Sequence, residues 1–150
     1  MTEKSIQKIL WEKYKSHKYK ILNAQICNYR EIADFISVTQ SGYCQEIEIK
    51  LSKSDFQADF RKPKHKLMKS KPSGWNKKVA NRFYFAVPKG LISKKDVPRY
   101  AGLIYIYNNK AEIIKKAPLL HKTKRKVRLL FFNKVYYFYE NSINREFFAK

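Results

Sequence analysis

The segment Glu46-Ile47-Glu48-Ile49-Lys50 carries a charge at every second position of an otherwise apolar stretch. In an extended strand alternate side chains share a face. Glu46, Glu48 and Lys50 therefore point one way, and Ile47 and Ile49 point into the core. Charges on a central strand are costly unless they are paired or hold a metal. Asp34 lies in the preceding apolar run, residues 31–38. A turn at Ser41-Gly42 would make it nearly a cross-strand neighbour of Glu48. Two carboxylates and one ammonium then converge. Hard oxygen ligands suit Mg²⁺ or Mn²⁺, and Mg²⁺ keeps waters and substrate oxygens in its remaining positions. Such an ion polarises a phosphate and acidifies a bound water. The expected ligands are Asp34, Glu48 and the Ile49 carbonyl, with Lys50 offsetting developing charge. A bland alternative stands beside this: Glu-x-Lys arises easily in a lysine-rich chain, and a cross-strand ion pair on a solvated face needs no chemistry.

The elements that must position these residues follow from periodicity. Residues 2–16 read as a helix, with Ile6, Ile9, Leu10 and Tyr14 at helical spacing and Thr2 as N-cap. Residues 19–27, 31–38 and 43–51 read as strands of an antiparallel meander. Ser52 and Asp55 approximate a capping box that starts a helix near residue 53, which Pro63 should kink or interrupt. Residues 61–79 are lysine-rich and contain Pro72-Ser73-Gly74, so a mobile basic segment is expected within about residues 61–80. Strands follow at 82–87, near 101–107 and at 110–115, with Asn108-Asn109 as a turn. The apolar, aromatic stretch at roughly 124–140 reads as a helix. The fold class is α/β, more fully an α+β mixed sheet, in a single domain spanning 1–150. The helix after residue 52 acts as the crossover to the fourth strand.

Lys and Arg number 33 against 12 acidic residues in 150, a formal charge of +21. So large a charge points to a polyanionic partner, because neutralising phosphates releases counterions. Cys27 and Cys44 form no CxxC pair, and His17, His65 and His121 lack zinc-site spacing. Both cysteines read as buried thiols in a reducing compartment. The N-terminus is polar, and no apolar run is long enough to span a bilayer. A cytoplasmic location and no membrane partner are the expectations.

The pattern resembles the PD-(D/E)xK nuclease superfamily, whose core runs helix, three strands, helix, strand, with aspartate on the second strand and Glu-x-Lys on the third. The match falls on Asp34 and Glu48-Ile49-Lys50. The strings EIEIKLSKSDFQADF at 46–60, NRFYFAVPKGL at 81–91 and YAGLIYI at 100–106 narrow it to the MmcB-like DNA-repair endonuclease family. The resemblance spans roughly residues 31–135. It implies a restriction-endonuclease-like core with an added C-terminal hairpin and helix, and a Mg²⁺-dependent endonuclease acting on DNA in repair or processing. Ala33 replaces the proline of the superfamily's name. The stretch 61–80 looks longer and more basic than in the family, and Asn81 stands where such proteins often carry aspartate.

Further candidates surround this trio. Glu46 is either a second ligand or the partner of a lysine. Glu12 matters because some relatives place a glutamate on the first helix; otherwise it is a surface residue. The resemblance implies that Ser52 and Asp55 brace the site as well as capping a helix. Lys53, Arg61, Lys62, Lys64 and Lys66 read as a phosphate footprint. His65 would join them or act in catalysis, and Trp75 would stack on a base or pack against the domain. The aromatics from Phe131 to Tyr139 suit core packing or a dimer face. Competing functions are a non-catalytic nucleic-acid-binding module and an RNA-directed nuclease using the same site.

Overall fold

The computed structural model of the chain describes residues 1–25, 32–70 and 79–124. Helix α1 (Glu3–Lys13) starts where Thr2 and Ser5 exchange backbone-to-hydroxyl hydrogen bonds, a complete capping box. Strands β1 (Tyr19–Gln25), β2 (Ile32–Val38) and β3 (Cys44–Ile49) follow. Next come two short helices, α2 (Lys53–Asp59) and α3 (Lys64–Lys69), then β4 (Arg82–Pro88), β5 (Ala101–Tyr107) and β6 (Lys110–Lys115). The six strands form one sheet in sequence order. Pairing is antiparallel for β1–β2, β2–β3 and β5–β6, and parallel for β3–β4 and β4–β5. The fold is thus a mixed α+β sheet with helices, as the periodicity predicts. The parallel β4–β5 step was not legible. Its connection crosses through a single 3₁₀ turn at Lys94–Asp96 instead of a long helix.

Two apolar layers cover the sheet. On one face Ile6 and Leu10 of α1, with Tyr14 just after it, pack on Leu22, Phe35, Ile47, Ile49, Tyr84 and Ile104. On the other, Phe56 of α2 and Met68 of α3 pack on Phe83, Phe85, Val87 and Leu103. Strand β4 feeds both layers, which explains why RFYFAV is a nearly unbroken apolar run. All six residues of β3 are buried, Glu46 and Glu48 included.

Local signals set the connections. Gly42 adopts φ +95° in the β2–β3 turn, and Asn108 and Asn109 both take left-handed angles in the two-residue β5–β6 hairpin. The helix that starts near residue 53 is interrupted, as Pro63 predicts, into α2 and α3, with Pro63 at the N-cap position of α3. Residues 64–69, expected within a mobile basic segment, are therefore helical. Residues 71–78 with Trp75, and Cys27, the 124–140 helix and the aromatics from Phe131 onward, lie outside the described residues, apart from Lys124. Cys44 is a buried free thiol. Among the described residues no helix is long and apolar enough to cross a membrane.

Candidate functional site

The β2–β3 register pairs Phe35 with Ile47 and Ile36 with Glu46, and its next step sets Asp34 beside Glu48. The two carboxyls are close enough for the charge of Glu48 to raise the Asp34 carboxyl. The Ile49 N–H donates to Asp34 Oδ2 at 2.7 Å, fixing that carboxyl at the end of β3. Asp34 is steadied from behind. Gln7 of α1 donates from Nε2 to the Asp34 carbonyl and to Asn23 Oδ1, each at 2.9 Å. Asn23 takes φ +52° in β1, between the residues that pair with Ala33 and Phe35.

Parallel pairing with β4 sets Glu46 against Phe83 and Glu48 against Phe85, on the face covered by α2 and α3. From that side come the residues that sequence reasoning placed elsewhere or missed. Lys64 is fully buried. Its Nζ lies 2.8 Å from Glu46 Oε1 and 2.6 Å from Glu48 Oε1, and 5.0 Å over the Phe83 ring. It is not a phosphate contact on the surface. Asp59, absent from the expected site, is buried at the end of α2. Lys50 Nζ and Lys62 Nζ each approach its Oδ1 at 2.8 Å. That oxygen accepts no well-directed hydrogen bond, so the two ammoniums hold it as ion pairs. Its Oδ2 lies 2.6 Å from His65 Nε2, and His65 Nδ1 lies 2.8 Å from Tyr100 Oη. His65 is buried among Phe60, Phe83 and Phe85. That enclosure removes it from any direct phosphate contact and makes it a brace for Asp59.

Lys50 stands where strand parity puts it, 3.6 Å from Glu48 Oε2, with Lys62 at 3.5 Å from the same oxygen. Glu46 pairs with Lys64, the second of its two expected roles. Ser52 caps α2 by accepting the Asp55 N–H at 3.1 Å. Asp55 lines a cleft of about 300 Å³ together with Glu3, Asp34, Glu48, Ile49, Lys50 and Asp59 among others. Glu12 is not there. It is exposed on α1 and lines a separate depression with Met1 and Asn108; the α1 carboxylate at the cleft is Glu3, the first residue of that helix. Lys53, Arg61 and Lys66 are exposed, as a footprint requires, and Lys62 is half-buried.

Electrostatics divide the cluster. Burial, then the neighbouring Glu48 charge, pushes the Asp34 carboxyl up to about 7, against the opposing Ile49 hydrogen bond. Burial would raise Asp59 too, but His65 and Lys64, then Lys50 and Lys62, outweigh it and hold Asp59 below the usual carboxylate range. Burial would lower Lys64, and the charges of Glu46, Glu48 and Asp59 reverse this, so its ammonium is firmly charged. Three carboxylates (Glu46, Glu48, Asp59) thus face three ammoniums (Lys50, Lys62, Lys64), and among the described residues Asp34 has no ion-pair partner, so its charged form is disfavoured. Asp34, Glu48 and the Ile49 backbone bring oxygen atoms to the cleft, which the carboxylates of Glu3, Asp55 and Asp59 also line. Among the described residues no group of three or more His, Cys, Asp or Glu forms a metal cage. Two carboxylates suffice for Mg²⁺, which retains several waters.

Asp59 had a signal in the sequence. It falls three residues after Phe56 and one before Phe60, on the apolar stripe of α2, where a carboxylate has to be partnered. Lys64 had none, being one lysine in a run of them. Asn81 is buried and structural. It accepts from the Cys44 N–H at 2.8 Å and donates to the His121 and Thr123 carbonyls at 2.9 and 3.0 Å. A carboxylate could not donate those two bonds, which accounts for asparagine at this position.

No family model matches the chain, and no curated protein matches it. Among solved structures it is similar to the SPO1766 protein of unknown function from Silicibacter pomeroyi. The TM-score is 0.59 at 18% identity, over 95% of this chain and 83% of that one. The likeness is one of fold.

Proposed function

We propose that this chain is a metal-dependent nuclease of the PD-(D/E)xK type that hydrolyses DNA phosphodiester bonds. The supporting observation is the approach of Asp34 to Glu48 at a cleft, where, among the described residues, Asp34 has no ion-pair partner while Glu46, Glu48 and Asp59 are each paired with a lysine. The element order before β5, helix, three strands, helices and strand, agrees with that core. Asp34, Glu48 and the Ile49 carbonyl would hold Mg²⁺ or Mn²⁺. When bound, the ion supplies a polarised phosphate and an acidified water.

The remaining steps belong to side chains. Lys50, held 2.8 Å from Asp59 and 3.6 Å from Glu48, presents an ammonium at the cleft that stabilises charge developing on the phosphate. Asp59 restrains that ammonium, and His65 restrains Asp59. Exposed Lys53, Arg61 and Lys66 hold the polyanion by counterion release. RNA meets the same chemistry, so it is the alternative substrate.

One observation favours a second reading, a binding module without catalysis: three ammoniums already neutralise three of the carboxylates. The deciding experiment offers plasmid, single-stranded and branched DNA, and RNA, with Mg²⁺ or Mn²⁺, to the wild type, Glu48→Gln and Lys50→Met. Cleavage by the wild type alone is expected. Equal nucleic-acid binding by all three proteins with no cleavage of any substrate would sink the nuclease reading.

A further inference from the structure

Glu48 faces two different environments through its two oxygens. Oε2 faces Lys62 and Lys50 at 3.5 and 3.6 Å, the two lysines that also hold Asp59. Oε1 takes Lys64 Nζ at 2.6 Å, and the same Nζ reaches Glu46 Oε1 at 2.8 Å. A two-ion nuclease site sets its ions about 3.5–4 Å apart and shares carboxylate oxygens between them. The row Asp34, Glu48, Glu46 has the carboxylates for that arrangement. One of the two places is filled from within the chain.

We infer that Lys64 is a built-in cation: its ammonium occupies the position between Glu46 and Glu48 that a second divalent ion would take, so the site accepts one metal ion. This rests on the proposed metal site at Asp34 and Glu48. Several features make the occupancy permanent. The side chain has 0% exposure, the Phe83 ring backs the ammonium at 5.0 Å, and α3 anchors the stem immediately after the Pro63 break. His65, the next residue, is tied to Asp59, which locks the same turn of helix to α2. An ammonium donates hydrogen bonds and cannot ligate a metal, so Lys64 competes for the carboxylates and orients them. Its effect on the reaction passes through Glu48, which makes it a positioning residue.

The test counts ions on the full-length protein. Mn²⁺ titration, read by the electron paramagnetic resonance of free Mn²⁺, should give one ion per wild-type chain. Lys64→Met, similar in length and uncharged, should give two. Crystals of the wild type soaked in Mn²⁺ should show a single anomalous peak at Asp34 and Glu48, with Lys64 still between Glu46 and Glu48; this arm holds whether or not the variant folds. Two ions on the wild type, or a peak between Glu46 and Glu48, would overturn the inference and leave the metal site standing. One ion on both proteins would also overturn it, since Lys64 would then be only a structural charge. No ion on the wild type would remove the metal site itself and the inference with it.

Discussion

The two ends of one carboxylate row are built in opposite ways. At the inner end Glu46 and Glu48 are dry, and a buried lysine satisfies them at 2.6–2.8 Å. At the outer end Asp34 meets Glu48 at the cleft, a backbone N–H is its nearest donor, and its carboxyl is pushed up to about 7. A buried charge without its partner is a large destabilisation, so the inner end behaves as a permanent part of the fold. The outer end carries the charge that an incoming cation would relieve. The contrast separates residues that hold the site from residues that use it.

The largest effect is expected at the inner end. Lys64→Met leaves Glu46 and Glu48 buried and uncompensated, and should lower stability by about 3–5 kcal/mol in urea unfolding. Millimolar Mn²⁺ should return part of that loss. An unchanged midpoint would mean that the two ends do not differ. Next comes Lys50→Met at the outer end. Cleavage should fall about 10²–10³-fold, the scale of losing one preorganised donor, while the unfolding midpoint moves far less than for Lys64→Met. Equal stability losses in the two variants would erase the distinction.

A third outcome concerns pH. Asp34 has a folded value of about 7, raised above its ordinary 3.8, so the folded chain binds more protons than the unfolded chain between those values. Without metal, stability should therefore fall as pH rises from about 4 to about 7, by at most about 1.4 kcal/mol per pH unit from this group. Asp34→Asn should flatten that slope, and Mg²⁺ should reduce it by giving the carboxylate a cation. Asp59 acts in the opposite sense and in a different window. Its value is depressed, so its contribution is complete above the ordinary carboxylate range and is lost as pH falls below about 4. A slope that Asp34→Asn leaves unchanged would show that this end carries no unmet charge. The smallest effects belong to the exposed rim. Lys53→Ala, Arg61→Ala and Lys66→Ala should each shift stability by no more than about 0.5 kcal/mol. Each should reduce the salt dependence of DNA binding by about one ion.

Asp34, Glu48 and Lys50 were legible because their placement depends on short-range rules. Parity along β3 put Glu48 and Lys50 on one face, and the turn at Gly42 set the register that brings Asp34 across. The same rules found the Asn108-Asn109 hairpin and the Ser52 cap. Glu12 is exposed, the surface reading of its two; helical periodicity says which face of α1 is apolar, but not how the helix lies across the sheet, and that lie puts Glu3 at the cleft. Lys64 was read as a phosphate contact because composition weighs every lysine in residues 61–70 alike, and His65 was read as a phosphate contact or a catalytic group because nothing local marks it for burial.

By itself, then, the sequence determined the alternation, the turns and the caps, and with them the Asp34–Glu48–Lys50 trio. Those features depend on backbone geometry within a few residues. Only the tertiary structure decided which cations enter the core. Pro63 breaks the helix, α3 folds back over Phe83 and Phe85, and one lysine among many is carried to the two glutamates while its neighbours Arg61 and Lys66 stay in water. The physical reason is burial: a charge can leave solvent only where a partner of opposite sign is already fixed, and packing across the sheet face is what fixed Glu46 and Glu48 there.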